Sequence, residues 1–360
     1  MLNICVFEGD GIGPEIMAPT LRVLDAALAA RGAEPLSYAS HPAGAGHYQK
    51  TGEALPEASV AAARAADAIL LSAMGLPAIR KPDGTEITPQ IELRFRLGLY
   101  AGVRPVRVFP GAPTPLASPR AGEIDFVLVR ESTEGLFAHM NEGIVTEDDA
   151  TELLRITRKT SEKLFDFTFR LAERRAAQKG RPGRVTCVDK ANVFRAFWFF
   201  REIFEARAKA FPGLATDTAY VDAMAMWMVQ RPWDFDVLVT ENMFGDILSD
   251  LGAGLLGSLG LAPSADIGDD AAVFQPCHGS APDIAGQGVA NPLAMILSGA
   301  MMLDWLAGEK DMPVLALAAS DIEGAVGRLL AEQRDLTGDL GGTASTEVCA
   351  DAVIAALGQP

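Results

Sequence analysis

The chain has 360 residues, a formal net charge of −16 and 49% hydrophobic residues. This length can bury a large core and suggests two domains, and the composition is typical of a soluble globular protein. The excess of acidic residues argues against nucleic acid and anionic membranes as partners.

The cysteines and the apolar segments indicate the cellular compartment of the protein. Cys5, Cys187, Cys277 and Cys349 are scattered without a CxxC pair, which favours a reducing, cytoplasmic setting over a zinc site or a disulfide framework. No N-terminal targeting signal is visible. The apolar part of the longest uncharged run, residues 293–303, is too short to cross a bilayer and is expected to be a core helix.

Strands alternate with helices from the start of the chain. Residues 2–7 predict a strand, and an amphipathic helix ending near Gly32 follows, with Pro14 in its first turn. The turn between them has the spacing G-x-G-x-G-P, which differs from the dinucleotide fingerprint G-x-G-x-x-G, so we assign no phosphate binding to it. Residues 55–75 predict a helix followed by the strand 68–73.

A group of arginines follows a loop at residues 76–89. Arg94, Arg96, Arg104 and Arg107 lie in an otherwise apolar helix-then-strand context. Guanidinium groups bind carboxylates in a bidentate fashion, so these residues are candidates for an acidic ligand. Surface solubility is the alternative, and it is weakest for Arg94 and Arg104, whose neighbours are mostly apolar.

The next strand, residues 124–129, ends in Arg130, at the position where α/β proteins place ligand sites. A polar loop at 137–149 is expected to be exposed. A long amphipathic helix is predicted over residues 151–179.

Lys190 and Asn192 follow the predicted strand in RVTCVDKAN. A lysine at the end of a strand has two interpretations. It is either a surface residue whose stem packs on apolar neighbours, or a buried cation with a lowered pKa that can accept a proton.

Three aspartates mark the next stretch. Asp222 stands beside a Met-rich segment, and Asp246 and Asp250 follow the strand at 235–239 on a predicted helix. Two like charges four residues apart cost a helix a few tenths of a kcal/mol, and a divalent cation would compensate for this cost. A solvated acidic helix face is the alternative.

A loop rich in Gly, Pro and Ala, residues 275–292, contains His278, Asp283 and Asn291. Long unpatterned loops inside compact domains are usually functional or disordered. Helices are predicted after it at 293–307, 320–333 and 346–357.

Taken in this order, the motifs resemble those of the β-decarboxylating dehydrogenases, which include isopropylmalate, isocitrate, homoisocitrate and tartrate/D-malate dehydrogenases. The motifs are GDGIGPE, the arginines at 94, 104 and 130, VDKAN, YVDAM, TENMFGDILSD and HGSAPDIAGQGVANP. The resemblance runs nearly end to end, and over residues 220–304 it is closest to isopropylmalate dehydrogenase.

The resemblance implies an α/β fold with two domains, a central mixed sheet and no Rossmann nucleotide site. Residues 1–98 plus 252–360 would form a discontinuous cofactor-binding domain. Residues 99–251 would form the domain for substrate, metal and dimerisation. A homodimer with shared active sites is expected, in which Lys190 and Asp222 serve the partner's site.

It also implies NAD- and divalent-metal-dependent oxidative decarboxylation of a 2-hydroxy acid with a carboxylate on C3. Lys190 would be the base, with Asp222 beside it. Mg²⁺ or Mn²⁺ would bind Asp222, Asp246 and Asp250. The implied substrate-binding residues are Thr88, Gln90, Ile91, Arg94, Arg104, Arg130 and Asn192. The implied cofactor-binding residues are His278, Gly279, Ser280, Ala281, Asp283 and Asn291. Asp283 followed by Ile284 matches the members that use NAD.

The sequence departs from the family pattern at two places. Phe137 stands where the family has the tyrosine that protonates the enol, which motivates the alternative of a non-catalytic regulatory subunit of a hetero-oligomeric isocitrate dehydrogenase. Before Arg94, Thr88 and Gln90 occupy places where isocitrate enzymes have polar residues, and Gln90 and Ile91 replace the leucines of isopropylmalate enzymes.

Overall fold

The computed structural model describes residues 1–358. Their strands form one large sheet of ten strands and a separate two-stranded pair. The strands are β1 (Asn3–Phe7), β2 (Ser37–Ser40), β3 (Ala68–Leu71), β4 (Ala101–Arg107), β5 (Asp125–Glu131), β6 (Ile144–Val145), β7 (Ala150–Thr151), β8 (Arg184–Asp189), β9 (Ala215–Tyr220), β10 (Val237–Thr240), β11 (Pro263–Ile267) and β12 (Ala272–Pro276).

Helices connect and cover these strands. They are α1 (Gly13–Ala30), α2 (Ala45–Thr51), α3 (Glu57–Ala65), α4 (Pro89–Leu97), α5 (Arg158–Lys179), α6 (Arg195–Ala208), α7 (Val221–Gln230), α8 (Asn242–Leu255), α9 (Leu293–Glu309), α10 (Pro313–Glu332) and α11 (Thr346–Ala356). No helix within residues 1–358 is both long and apolar enough to cross a membrane.

The large sheet has the strand order β2-β1-β3-β12-β11-β4-β5-β10-β8-β9. Its centre is antiparallel, because β11 pairs antiparallel with β12 and β4, and β4 pairs antiparallel with β5. The flanking pairs are parallel. The predicted α/β class with a central mixed sheet is therefore confirmed.

The strands divide in the middle of the sheet according to the segment of chain that supplies them. The half from β2 to β11 comes from residues 1–98 and 252–358, and the half from β4 to β9 comes from 99–251. The two-domain division at these bounds stays a prediction, and the last two residues of the predicted segment 252–360 lie outside the described part.

Local signals account for the helices nearest the site. Pro14 occupies the first turn of α1, as predicted, where a missing N–H costs nothing. At the start of α8 the carboxylate of Glu241 accepts a hydrogen bond from the N–H of Phe244 at 2.7 Å. The buried face of α8 includes Leu248 and Ala253, and α8 packs against β5 and β4. This packing fixes α8 beside the antiparallel centre of the sheet.

Two predicted helix bounds were wrong. The helix expected from residue 151 begins at Arg158, because β7 pairs with β6 as a small hairpin and the side chain of Thr157 caps the helix by accepting from the N–H of Thr160. The helix expected over 320–333 begins at Pro313, since a proline in the first turn and an apolar face that includes Leu315 and Ala318 extend it.

Candidate active site

A cavity of about 240 Å³ lies where the antiparallel centre of the sheet meets α4 and α8. Ten of the predicted site residues line it: Gln90, Ile91, Arg94, Arg104, Arg130, Phe137, Asp246, Asp250, His278 and Gly279. Thr88 lies one residue before α4, outside this lining, and its carbonyl accepts the N–H of Ile91. Residues from both predicted domains therefore meet around one cavity.

The register of three strands makes room for this cavity. Gly102 on β4 pairs with Asp266 on β11 on one side and with Arg130 on β5 on the other. Side chains in one such row point to the same face of a sheet. A Cβ at Gly102 would lie 2.7 Å from Oγ of Ser132 and 3.1 Å from Oδ1 of Asp266. The glycine thus leaves a gap in which side chains from its neighbours meet.

Arg130 is held at the carboxyl end of β5 by the first two turns of α8. Its Nε and Nη2 donate to Oδ1 of Asn242 at 3.0 and 2.7 Å, and its Nη1 donates to Asp246. Burial lowers the pKa of the Arg130 guanidinium to about 10, and the nearby Asp246 carboxylate opposes this shift. Arg130 is therefore a cation at neutral pH.

Asp246 and Asp250 lie one turn apart on α8, and both line the cavity. Burial raises the pKa of Asp250, and the negative charge of Asp246 raises it further. A cation between two carboxylates removes this repulsion, and two carboxylates with open positions for water and substrate oxygens suit Mg²⁺ or Mn²⁺. The donor set of α8 therefore fits a divalent metal.

Arg94 and Arg104 are buried together with Asp266, which sequence analysis did not identify. Nη2 of Arg94 lies 3.3 Å from Oδ2 of Asp266, and Nη2 of Arg104 lies 3.3 Å from Oδ1. Burial by itself would raise the pKa of the Asp266 carboxyl, but Arg94, Arg104 and Arg130 outweigh burial and lower it to about 2. The sequence signal was an aspartate within the otherwise uncharged segment LAPSADIG.

Phe137 and Gln90 also face the cavity. The Arg130 guanidinium lies 5.4 Å from the centroid of the Phe137 ring, within cation–π range. Phe137 carries no ionisable hydrogen, so it cannot serve as an acid. Among the described residues the Oε1 atom of Gln90 has no hydrogen-bond partner, although it is buried. A polar group of a ligand could provide that partner.

Lys190 and Asp222 lie together but away from this cavity. Nζ of Lys190 donates to Oδ1 of Asp222 at 2.6 Å, and the Asp222 side chain is 69% exposed. These residues follow β8 and β9, and β8 is two strands from β5, which is about 10 Å at the usual strand spacing. Asn192, two residues after Lys190, is exposed. One chain alone does not bring Asp222 to Asp246 and Asp250.

The distance of Asp222 from Asp246 and Asp250 also leaves the metal site of a single chain incomplete. Residues 1–358 contain no group of three or more His, Cys, Asp and Glu side chains placed to hold a metal ion. Asp246 and Asp250 offer two carboxylates, and the third predicted ligand, Asp222, would have to come from a second copy of the chain. That assembly stays a prediction.

A second cavity of about 760 Å³ adjoins the first. Its lining includes the predicted cofactor residues His278, Gly279, Ala281 and Asn291, together with the apolar side chains of Ile12 and Ile284. His278 lines both cavities. Burial lowers the pKa of His278, and within the described part of the chain its Nε2 is buried without a hydrogen-bond partner. Apolar walls with a few polar groups of this kind fit a nucleotide.

The remaining predicted cofactor residues have other surroundings. Ser280 is buried, its hydroxyl donates to the carbonyl of Gly75, and its own carbonyl accepts the N–H of Ile12 at 2.8 Å. Asp283 is exposed, one residue before Ile284. Sequence analysis gave no role to Glu15, whose carboxylate accepts hydrogen bonds from the N–H groups of Gly286 and Ala290 at 3.0 and 3.1 Å. Ser280 and Glu15 thus attach the loop to Ile12 and to the first turn of α1.

Comparison with known proteins gives consistent results along the whole chain. The profile of the isocitrate/isopropylmalate dehydrogenase family matches residues 3–355. The chain is 42% identical to the 3-isopropylmalate/3-methylmalate dehydrogenase of Methanocaldococcus jannaschii over 98% of both chains. It is also 42% identical to the isocitrate/homoisocitrate dehydrogenase of Thermus thermophilus, over 99% of this chain and 98% of the relative.

A solved structure supports the same relationship. The crystal structure of isocitrate dehydrogenase from Methylococcus capsulatus superimposes with a TM-score of 0.84 at 38% identity, and the match covers 100% of both chains.

Proposed function

The chain belongs to the isocitrate/isopropylmalate dehydrogenase family, and from that premise we propose that it oxidatively decarboxylates a 2-hydroxy acid with a carboxylate on C3, using NAD and Mg²⁺ or Mn²⁺. The observation that carries the proposal is the cavity in which three buried arginines face two aspartates of α8. Its positive groups suit the carboxylates of such an acid, and its negative groups suit a metal.

The arginines would bind and orient the substrate. Arg94, Arg104 and Arg130 are each less than 10% exposed, so their charge acts in a medium of low dielectric constant, where it binds a carboxylate more strongly than in water. Orientation of this kind would turn the hydrogen on C2 toward the cavity that would hold the nicotinamide cofactor. Gln90 and Ile91 of α4 would contact the substituent on C3.

Asp246 and Asp250, with Asp222 of a second copy, would hold the divalent metal. When bound, such an ion supplies positive charge beside the C2 oxygen, which favours both oxidation of the alcohol and loss of CO₂. Lys190 would accept the proton of the C2 hydroxyl, directly or through water. Its ion pair with Asp222 keeps the lysine and the third carboxylate together as one unit.

The second cavity would bind the adenosine part of NAD. His278 lines both cavities, and its unpartnered Nε2 would hydrogen-bond a cofactor that spans them. Asp283 would accept hydrogen bonds from ribose hydroxyl groups and would repel the additional phosphate of NADP.

A homodimer with shared active sites would bring these groups together. Apolar side chains on α7 and α8 support this proposal, since Met226, Val229 and Ile247 are exposed by 48%, 48% and 61%. These helices pack against each other and carry Asp222 and Asp246. Covering their apolar side chains with a second copy would move one chain's Asp222 toward the other's Asp246. The cytoplasmic location inferred from the cysteines stays a prediction.

A non-catalytic regulatory subunit is the second candidate, and Phe137 favours it because the family's proton donor is missing. Against it, Lys190 and all three aspartates are present. A turnover assay separates the two. The purified chain is incubated with Mn²⁺, NAD and each of 3-isopropylmalate, isocitrate, homoisocitrate, tartrate and D-malate, and NADH absorbance is followed. Turnover that EDTA abolishes supports the enzyme, and no turnover of any acid contradicts it.

A further inference from the structure

Asp266 places a buried carboxylate against two arginines of the cavity wall. It is 2% exposed and is the last residue but one of β11. Each of its oxygens faces a different arginine, because Oδ2 lies near Arg94 and Oδ1 near Arg104. Nε2 of Gln275 donates to Oδ2 at 2.7 Å. A buried carboxylate with partners on both oxygens is a defined structural element and not a surface ion pair.

This carboxylate changes the charge balance of the cavity. Arg94, Arg104 and Arg130 bring three positive charges to the cavity, and Asp266, buried against Arg94 and Arg104, compensates one of them. Two arginine charges remain for a substrate, which matches the two carboxylates of a dianion. Asp246 and Asp250 are exposed and would serve the metal. A third carboxylate would have no arginine charge to compensate the loss of its hydration.

The hydrogen bonds of Arg104 also argue against a third substrate carboxylate. Its Nη1 donates to the carbonyls of Ala265 and Val103 at 2.9 and 3.2 Å, and its Nη2 donates to Asp266. These bonds use three of the five N–H donors of the guanidinium. Nε and one hydrogen of Nη2 are left, which is enough for one substrate carboxylate and not for two.

We infer that Asp266 is a specificity-determining residue, which restricts the cavity to dianionic 2-hydroxy acids with an uncharged substituent on C3 and disfavours a third carboxylate. This inference rests on the proposed function and narrows its substrate class. Asp266 acts by compensating positive charge of Arg94 and Arg104, which would contact the substrate.

Binding of two acids in the presence of Mn²⁺ tests this inference. Isothermal titration calorimetry on the full chain measures 3-isopropylmalate, a dianion, and isocitrate, a trianion. The wild type should bind 3-isopropylmalate more tightly by roughly ten-fold or more, because one uncompensated charge is costly in a buried site. Asp266→Asn keeps the shape and removes the charge, and it should reduce that preference by a similar factor. Asp266→Ser provides a second variant.

The control variant is Asp236→Asn. Asp236 is also buried and pairs with Arg175, but it lies at the amino end of β10, whereas α8 and the cavity follow the carboxyl end of that strand. The Asp236→Asn variant should therefore have the same preference as the wild type. Tighter binding of isocitrate by the wild type would overturn the inference even if the chain is an active dehydrogenase, as would an unchanged preference in folded Asp266 variants. Failure of every acid to be turned over would instead overturn the proposed function, and failure of both acids to bind would overturn both.

Discussion

Gly245 on α8 lies directly against the side chain of Arg130 on β5. A Cβ at Gly245 would lie 2.6 Å from Cγ and 2.7 Å from Cβ of Arg130, closer than such atoms approach one another in proteins. The missing side chain lets the stem of Arg130 cross the helix and bring its guanidinium to Asn242 and Asp246. Arg130 can therefore take this position only because residue 245 has no side chain.

Gly245→Ala should therefore displace Arg130. Overpacking of this kind costs about 1–3 kcal/mol of stability, and the KM for the hydroxy acid should rise by roughly ten-fold or more as the arginine loses its position. Thermal denaturation and steady-state kinetics with saturating NAD and Mn²⁺ measure both effects.

The matched control is Gly254→Ala on the same helix. A Cβ at Gly254 would meet no heavy atom within 4 Å, so alanine there should keep KM unchanged and stabilise the helix by about 0.5–1 kcal/mol. Equal KM values for both variants would show that Gly245 does not set the position of Arg130.

Local patterns in the sequence were sufficient to predict the elements that carry the acids and arginines. The strand before α8, the helix itself and the spacing of Asp246 and Asp250 follow from apolar periodicity over a few residues. Arg130 could be placed at the end of β5 for the same reason. These predictions depend on neighbours in the chain, which the sequence shows directly.

Asp266 could not be placed in this way. Its partners Arg94 and Arg104 are 172 and 162 residues away in the chain, and the strand β11 that carries it was not predicted. The antiparallel pairing of β11 with β12 and β4 brings these groups together. The charge balance of the cavity is therefore a property of the tertiary fold.

Phe137→Tyr tests the missing proton donor. A tyrosine hydroxyl would add an acid to the cavity wall, so the rate of CO₂ release should stay equal or rise, since a placed acid helps protonate the enol. Phe137→Leu, which removes the ring and adds no hydroxyl, should not raise the rate. Manometric or coupled measurement of CO₂ suffices. A large fall for the tyrosine variant would show that the site uses another donor geometry.

Gln90→Leu tests the pocket for the C3 substituent. Removing the amide replaces a hydrogen-bonding group with an apolar one, so the ratio of kcat/KM values should shift toward 3-alkylmalates by roughly ten-fold. Glu92→Leu, two residues along α4 at an exposed position, should leave the ratio unchanged. If the ratio is also unchanged for Gln90→Leu, the residue does not face the substrate.

Asp283→Lys tests the choice of nucleotide. The wild type should show a higher kcat/KM with NAD than with NADP, and the variant should lower this ratio by roughly ten-fold or more, because a lysine attracts the phosphate that an aspartate repels. Asp148→Lys makes the same charge change in the exposed turn between β6 and β7 and should have no effect. A wild type that prefers NADP would contradict this account.

Complementation between subunits tests most directly whether aspartates from two copies hold one metal. Asp222→Asn and Asp246→Asn, each inactive as a homodimer, are unfolded together in equal amounts, refolded and assayed with Mn²⁺. Heterodimers would contain one intact set of Asp222, Asp246 and Asp250, so roughly one quarter of wild-type activity should return. EDTA should abolish it. No recovery, with heterodimers shown by mass spectrometry and a refolded wild-type control active, would contradict a shared metal site.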